Sequence, residues 1–302
     1  MKKKIFPIAA ISWLMLFISA CQSSESISVC EKIPVEVNFS SFDIKVNPDD
    51  NQTNATRASA KTANVNRLSL KIFDSETEEI ALEKNLELDS TAQDFEKVFL
   101  LIYPGDYYFV AVAHKSGSSN LPAEITSPTE VTIPIKAILP TYTSVQQAQI
   151  TESASSSVSI DFGYRVTSTF VLKYTDPTPD EVEVCEIIIN PLSPSFESHI
   201  LDPSTGLLSE KEKVAVKYTK PIKDGTFTNI DIPVNTYLSM AEETVDIQIN
   251  MKSADGTILA TRTLSSVTMK QHHTTRATGR FFSDAAFTFA DETANQDISV
   301  SF

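Results

Sequence analysis

Glycine is scarce in this sequence: only seven of the 302 residues are glycine, and no two of them are adjacent. The phosphate-binding loops of nucleotide-dependent enzymes need clustered glycines, so this scarcity excludes the P-loop and the dinucleotide fingerprint. Histidine and cysteine are also few, with four and three residues, and none shows an H-x-x-x-H or C-x-x-C spacing. No G-x-S-x-G elbow is present either. We therefore expect no metal, no cofactor and no enzymatic activity.

Positive charge is the next deficit, with 25 Lys and Arg against 39 Asp and Glu and a formal net charge of −14. Nucleic-acid binding relies on clustered Lys and Arg, so this balance argues against a nucleic-acid partner. Hydrophobic residues still make up 41% of the chain, which is enough to build a core. The length fits one large domain or two ordinary ones.

The first twenty residues have the pattern of an export signal. Three lysines, Lys2–Lys4, precede the apolar run Ile5–Phe17, which is too short to span a membrane as a mature helix. The following Ile18-Ser-Ala-Cys21 resembles the bacterial lipobox, which implies cleavage before Cys21 and acylation, palmitate included, of that cysteine. Because Gln22 is not the aspartate of inner-membrane retention, we expect an anchor in the cell outer membrane. Cleavage removes three lysines and no acid, so the formal charge falls from −14 to −17.

Two further cysteines, Cys30 and Cys185, remain in the mature chain. The bacterial envelope permits disulfides, so a Cys30–Cys185 bridge is one possibility. Cys185 also lies in the apolar run Val182–Ile189, where a buried free thiol is the alternative. The sequence leaves both alternatives open, because it does not give the distance between the two Cα atoms.

Apolar and polar residues alternate with a period of two along most of the mature chain, which predicts β-strands. Helix signals are weak and are confined to Thr236–Glu243 and Ser144–Gln149. The predicted strands are Val35–Val46, Arg67–Asp74, Val98–Tyr103, Tyr107–Ala113, Val131–Ile138, Val158–Tyr164, Thr169–Tyr174, Val182–Ile189, Val214–Tyr218, Thr226–Ile232, Val245–Met251, Ile258–Leu264, Val267–His272, Gly279–Phe282, Ala286–Ala290 and Ile298–Phe302. Many short strands separated by turn residues predict an all-β chain made of β-sandwiches.

The strand pattern and composition suggest how the chain is divided. A Ser-rich stretch, Thr151–Ser157, precedes Gly163, where we place the boundary between two sandwiches. The expected parts are a lipoprotein signal peptide over 1–20, a first strand with a possible propeptide over 21–57, an N-terminal sandwich over 58–163 with 33–46 as its first strand before cleavage, and a C-terminal sandwich over 164–302. The polar stretch Asn47–Asn66 lacks periodicity and is predicted to be an exposed connector.

Several segments resemble the fimbrillin family, the lipoprotein-derived subunits and anchors of type V pili. The segments that carry the resemblance are Val65–Asp74, Ile102–His114 with its Gly-x-Tyr turn, Tyr164–Asp176, and Val267–Phe282. The resemblance implies two tandem transthyretin-like β-sandwiches. It also implies maturation by a protease that cuts after an arginine behind the first strand. Loss of that strand opens a groove, which a strand of another subunit fills.

Two positions fit this implied mechanism. Arg57 lies within the polar connector, in Asn54-Ala-Thr-Arg-Ala-Ser59, and is the candidate for proteolytic maturation. The last segment alternates apolar residues at Ile298, Val300 and Phe302 and is the candidate donor strand. An edge strand of the C-terminal sandwich is the alternative interpretation of the same pattern.

The resemblance therefore implies a structural subunit of a fimbria that assembles with other pilus subunits and serves cell adhesion. A membrane-retained anchor is an alternative within the same family, and a Cys30–Cys185 bridge would favour it. A surface glycan-binding lipoprotein is an alternative of a different class. A host or bacterial surface ligand is compatible with each of these functions, and the sequence names neither the ligand nor the position in the pilus.

Overall fold

A computed structural model describes residues 31–40, 65–87, 97–115, 122–133, 140–152, 155–163, 165–190, 199–209, 216–222, 230–283 and 286–293. The described residues contain eighteen strands and no helix, which confirms the all-β prediction. Because there is no helix in the described part, none is present there that is long and apolar enough to cross a membrane.

The first half of the chain contributes nine strands. They are β1 (Ile33–Ser40), β2 (Arg67–Asp74), β3 (Ile80–Glu87), β4 (Lys97–Ile102), β5 (Gly105–His114), β6 (Glu124–Ser127), β7 (Glu130–Ile133), β8 (Thr141–Ile150) and β9 (Ser156–Asp161). Sheet I has the order β4-β1-β9, and sheet II has the order β3-β2-β5-β8. Alternate side chains of these two sheets meet in a first core.

That first core is built by the inward positions of both sheets. In β2 these positions are Leu68, Leu70 and Ile72, and in β1 they are Val35, Val37 and Phe39. The period-two alternation of the sequence therefore places one apolar face of each strand between the sheets. Further members are Leu100, Ile102, Tyr107, Phe109, Ala111, Tyr142, Ile150, Val158 and Ile160.

The second half contributes the other nine strands. They are β10 (Ser168–Tyr174), β11 (Val184–Asn190), β12 (His199–Leu201), β13 (Val216–Pro221), β14 (Ile230–Thr236), β15 (Glu242–Lys252), β16 (Ile258–Lys270), β17 (His273–Gly279) and β18 (Thr288–Thr293). Sheet IV has the order β14-β10-β17-β18, and sheet V has the order β13-β11-β15-β16. A second core lies between them and includes Phe170, Leu172, Ile187, Ile249 and Met269.

The two halves repeat one strand arrangement. In the first half β1 pairs antiparallel with β4 and parallel with β9. In the second half β10 pairs antiparallel with β14 and parallel with β17. Sheets II and V also correspond strand by strand: when β6, β7 and β12 are left out of the count, each sheet has the sequence order third-second-fifth-sixth. Strand β1 is therefore the counterpart of β10, and β18 has no counterpart beside β9 in the described residues.

A small sheet III joins the two halves, with the order β12-β7-β6. Here β12, from the second half, pairs with β7, from the first. The cluster beneath it contains Phe73, Val110, Val112, Ile125, Val131, Ile133, Val166, Leu201, Leu208 and Tyr237. A buried hydrogen bond of 2.7 Å between the hydroxyls of Thr141 and Tyr237 crosses the same seam. Burial next to the Tyr237 ring lowers the pKa of His199 to about 4, so its imidazole is neutral near pH 7.

Both weak helix predictions are wrong. Residues Ser144–Gln149 lie inside β8, where the ladder to β5 satisfies their backbone groups and Ala148 and Ile150 face the first core. Residues Thr236–Glu243 cover the end of β14, a bend and the start of β15. In both places sheet pairing decides the structure, because local helix propensity is a weak preference that tertiary contacts override.

The strand predicted at Gly279–Phe282 is also wrong. Strand β17 ends at Gly279, and the next residues form a bend. The carboxylate of Asp176 accepts hydrogen bonds from the backbone N–H of Phe281 at 2.8 Å and of Phe282 at 2.6 Å. These bonds replace a ladder, so the two rings turn towards the Tyr174 ring.

Candidate functional site

The candidate functional site is the position of β1 in sheet I. Strand β1 is the middle strand, paired to β4 from Ile33↔Ile102 to Asn38↔Lys97 and to β9 from Val35↔Ser156 to Ser40↔Asp161. Its backbone therefore bonds to two neighbours that do not bond to each other. Removal of β1 would leave unpaired backbone groups on both β4 and β9, which is a template for another strand.

Three side chains of β1 enter the first core. Val35 and Val37 are fully buried and Phe39 is nearly so. The ring of Phe39 is stacked on Phe162, with 6.2 Å between the centroids and 21° between the planes. Burying such side chains contributes roughly 1.5–3 kcal/mol each, so an emptied groove would expose a strongly adhesive surface.

The outward face of β1 is held weakly. Glu36 lies 3.7 Å from Lys97, and Asn38 Nδ2 donates to Ser157 Oγ at 3.1 Å. Both contacts are solvent-exposed and contribute on the order of 1 kcal/mol or less. Its counterpart β10 differs, because all of its residues except Lys173 are buried, those of the outward face included. The middle strand of the first half, β1, is thus buried on one face, whereas the middle strand of the second half, β10, is buried on both faces.

Most residues singled out from the sequence lie outside the described residues. They are Cys21, Cys30, Arg57, Ile298, Val300 and Phe302. The lipidation, cleavage and donor-strand hypotheses therefore remain predictions. The described strands on either side of the connector, β1 and β2, end at Ser40 and begin at Arg67.

Cys185 is the exception, and it is a free and fully buried thiol on β11. Its side chain faces the second core, and burial raises its pKa to about 12. Burial at this position is what the free-thiol alternative expects. Since Cys30 lies outside the described residues, the bridge between the two cysteines remains an untested prediction.

An exposed apolar stripe on β4 was missed from the sequence. Val98, Leu100 and Ile102 point inwards, whereas Phe99 is 68% exposed, Leu101 57% and the adjoining Tyr103 51%. The sequence signal was an unbroken apolar run in place of an alternating one. In a strand with one solvated face, such a run must place half of its apolar side chains in water.

The turn between β4 and β5 fixes the end of this stripe. Tyr107, buried at the start of β5, donates its hydroxyl to the carbonyl of Tyr103 at 3.0 Å. The chain thereby passes from sheet I to sheet II across Pro104 and Gly105. Tyr103 is held in place at the edge of the β1 position, with its ring exposed.

A cluster of charges surrounds Glu186 on the outer face of sheet V. Lys252 lies 2.8 Å from its carboxylate and Asn250 Nδ2 donates to it at 3.0 Å, while Lys217 is the third partner. Burial of Glu186 alone would raise its pKa, but hydrogen bonds from these three side chains outweigh burial and lower the pKa to about 2. The described residues hold no group of three His, Cys, Asp or Glu that could bind a metal.

This shifted pKa predicts acid sensitivity. The unfolded carboxyl titrates near 4.5, so the unfolded state binds more protons between pH 4.5 and 2. The stabilisation is present above pH 4.5 and is lost as the pH falls to 2, by about 3 kcal/mol at 1.36 kcal/mol per pKa unit. Urea unfolding at several pH values measures it. Glu186→Gln should flatten this part of the profile, and an unchanged slope in the variant would contradict the prediction.

Comparisons with solved structures find bacterial proteins of similar fold. A candidate adhesin of Bacteroides thetaiotaomicron matches 89% of this chain and all of its own, with a TM-score of 0.53 and 13% identity. A candidate polysaccharide-binding protein of the same species matches 82% of this chain and 90% of its own, with a TM-score of 0.50 and 14% identity. The fimbrial anchor protein Mfa2 of Porphyromonas gingivalis matches 87% and 98%, at a TM-score of 0.47 and 11% identity.

Identities of this size establish the fold alone. No family model matches the sequence, and no curated protein matches it. The all-β fold that the resemblance to fimbrillins implied is confirmed, since the solved structure of the candidate adhesin has the same fold. The fold and the β1 position together define an all-β protein in which the middle strand of sheet I has one buried and one solvent-exposed face.

Proposed function

We propose that this chain is a structural subunit of a cell-surface fimbria, a type V pilus, which is exported as an outer-membrane lipoprotein and assembled by strand exchange. The observation that carries the proposal is the place of β1, the strand that precedes the connector containing Arg57. It is the middle strand of sheet I, and few polar contacts hold its outward face. A cut after Arg57 would break the covalent link between β1 and the rest of the chain, so that only hydrogen bonds and packing would still hold the strand.

The last segment of the sequence matches the strand that it would replace. Val35-Glu-Val-Asn-Phe39 and Ile298-Ser-Val-Ser-Phe302 both place two β-branched residues and a phenylalanine at alternate positions. In β1 these are the three positions that fill the first core. A tail running in the direction of β1 would thus put Ile298, Val300 and Phe302 into the sites of Val35, Val37 and Phe39. Alternate side chains would set the register and the backbone ladders the affinity.

The same proposal covers the rest of the chain. Two tandem transthyretin-like domains with a boundary near Gly163 are supported by the strand order that sheets I and II share with sheets IV and V. Acylation at Cys21 would hold the precursor at the outer membrane until the protease acts. Adhesion, and not catalysis, is the proposed role, and other pilus subunits are the proposed partners.

Treatment of the purified full-length protein with an Arg-specific protease tests this function. We expect one cut that gives an N-terminus at Ala58, followed by a ladder of polymers on a gel run without boiling. The Arg57→Lys variant should stay uncut and monomeric under the same conditions. N-terminal sequencing and size-exclusion chromatography measure the two outcomes.

Arg67 supplies the matched control. It begins β2, pairs in both ladders of that strand and places its guanidinium 3.0 Å from Glu87. A protease needs an extended and accessible backbone, so it should not cut after Arg67 within β2. The Arg67→Lys variant should therefore still be cut after Arg57 and should polymerise as the wild type does. A clean cut after Arg57 that yields only monomers would reject assembly by strand exchange.

A further inference from the structure

The exposed stripe of Phe99, Leu101 and Tyr103 borders the groove that β1 fills. Apolar side chains clustered at this exposure are typical of interaction surfaces. A basic side chain that stays after the cut borders it, with Lys97 Nζ 5.6 Å from the centre of the Phe99 ring. We propose that this stripe is the docking surface for a second copy of this chain, the copy whose tail enters the groove. The inference rests on the proposed function.

The ladder between β1 and β4 fixes where the incoming chain enters. Pro34 pairs with Leu101, and Val35 pairs with Leu100. A tail that places Ile298 at the site of Val35 therefore places Asp297 beside Leu101. Continuing backwards, Asn295 falls at the place of Lys32, next to Tyr103. The tail enters the groove at the Tyr103 end of the stripe.

The length of the tether decides which part of the second copy lies there. Strand β18 ends at Thr293, only two residues before Asn295. Two extended residues span about 7 Å at most, at roughly 3.3–3.6 Å each. The β18 edge of the second copy must then lie against the Tyr103 end of β4. The two residues between Thr293 and Asn295 are too short a link for the entering copy to stay clear of the receiving copy.

Strand β18 presents an apolar group of its own. Phe289 pairs with the buried Ala277 of β17 but is 51% exposed, because β18 is the last strand of sheet IV in the described residues. It lies four residues before Thr293, within about 13 Å along an extended strand. If the chain turns where the tail enters the groove, Phe289 of the entering copy reaches the stripe of the receiving copy, and Leu101, at the middle of the stripe, is the partner that we expect it to bury.

A pair assay with two full-chain species tests this contact. The donor is the Arg57→Lys protein, which keeps its own β1 in place and offers a tail. The acceptor lacks residues 298–302 and is cleaved after Arg57 in the presence of the donor. We expect Phe289→Ser in the donor and Leu101→Ser in the acceptor each to raise the dissociation rate of the pair about tenfold. Because the two side chains contact each other, the pair that carries both substitutions should dissociate little faster than a pair that carries one.

Ile258→Ser in the donor is the matched control, since Ile258 is 52% exposed on β16 and should leave dissociation unchanged. Thermal unfolding of each variant shows whether its fold is kept. If the unsubstituted pair forms and all variants dissociate at its rate, the docking surface is overturned while strand exchange stands. If the unsubstituted pair does not form, the docking surface and the proposed function both fail.

Discussion

Val37→Asp is expected to prevent the precursor from folding stably. Val37 is fully buried at the centre of β1, where its side chain lies between the ladders to β4 and β9 and faces the first core. A carboxylate there has no partner, so the variant must bury a charge or take up a proton. We expect a loss of at least about 4 kcal/mol in the free energy of unfolding, measured by urea titration of the uncleaved protein.

Asn38→Asp is the matched control, because it adds the same carboxylate one residue further on. Asn38 faces outwards, pairs with Lys97 in the ladder and donates its side-chain amide to the Ser157 hydroxyl. We expect a change of about 1 kcal/mol or less, the usual size for a surface hydrogen bond. Equal stabilities of the two variants would mean that β1 does not hold the first core together. The proposal that its removal opens an apolar groove would then be contradicted.

The strands that could be predicted from the sequence are those in which apolar and polar residues alternate. Arg67–Asp74 alternates Leu68, Leu70 and Ile72 and forms β2 with the predicted bounds. Strands β3 and β8 were not predicted, because no residue of β3 and none of Ser144–Gln149 in β8 is buried, and pairing with β2 and β5 decides their structure. Such strands form through the backbone ladder of a neighbour, which no local pattern records.

The site could be predicted only in part, for a different reason. The candidates that the sequence motifs indicate are single residues such as Arg57 and Cys21, and these lie outside the described residues. The middle position of β1 and its equivalence to β10 follow from pairing between segments more than a hundred residues apart. Long-range pairing of this kind leaves no trace in composition or periodicity. The difference in burial between the two strands shows why only β1 is a candidate for release.

Val300→Asp should abolish polymerisation after the cut at Arg57. In the proposed register Val300 takes the site of Val37, so its carboxylate would enter the first core of the receiving copy without a partner. A penalty of at least about 4 kcal/mol weakens association roughly a thousandfold, which is enough to remove the ladder at micromolar concentrations. Size-exclusion chromatography of the cleaved protein measures the effect.

Ser299→Asp separates this mechanism from a general effect of charge in the tail. In the same register Ser299 takes the place of Glu36, whose carboxylate is tolerated on the outward face 3.7 Å from Lys97. The Ser299→Asp protein should therefore polymerise as the wild type does, because the added carboxylate lies near Lys97 of the receiving copy. If Val300→Asp instead lowers the unfolding midpoint of the uncleaved monomer, the tail is an edge strand of its own second sandwich. The groove left by β1 must then be filled by some other strand.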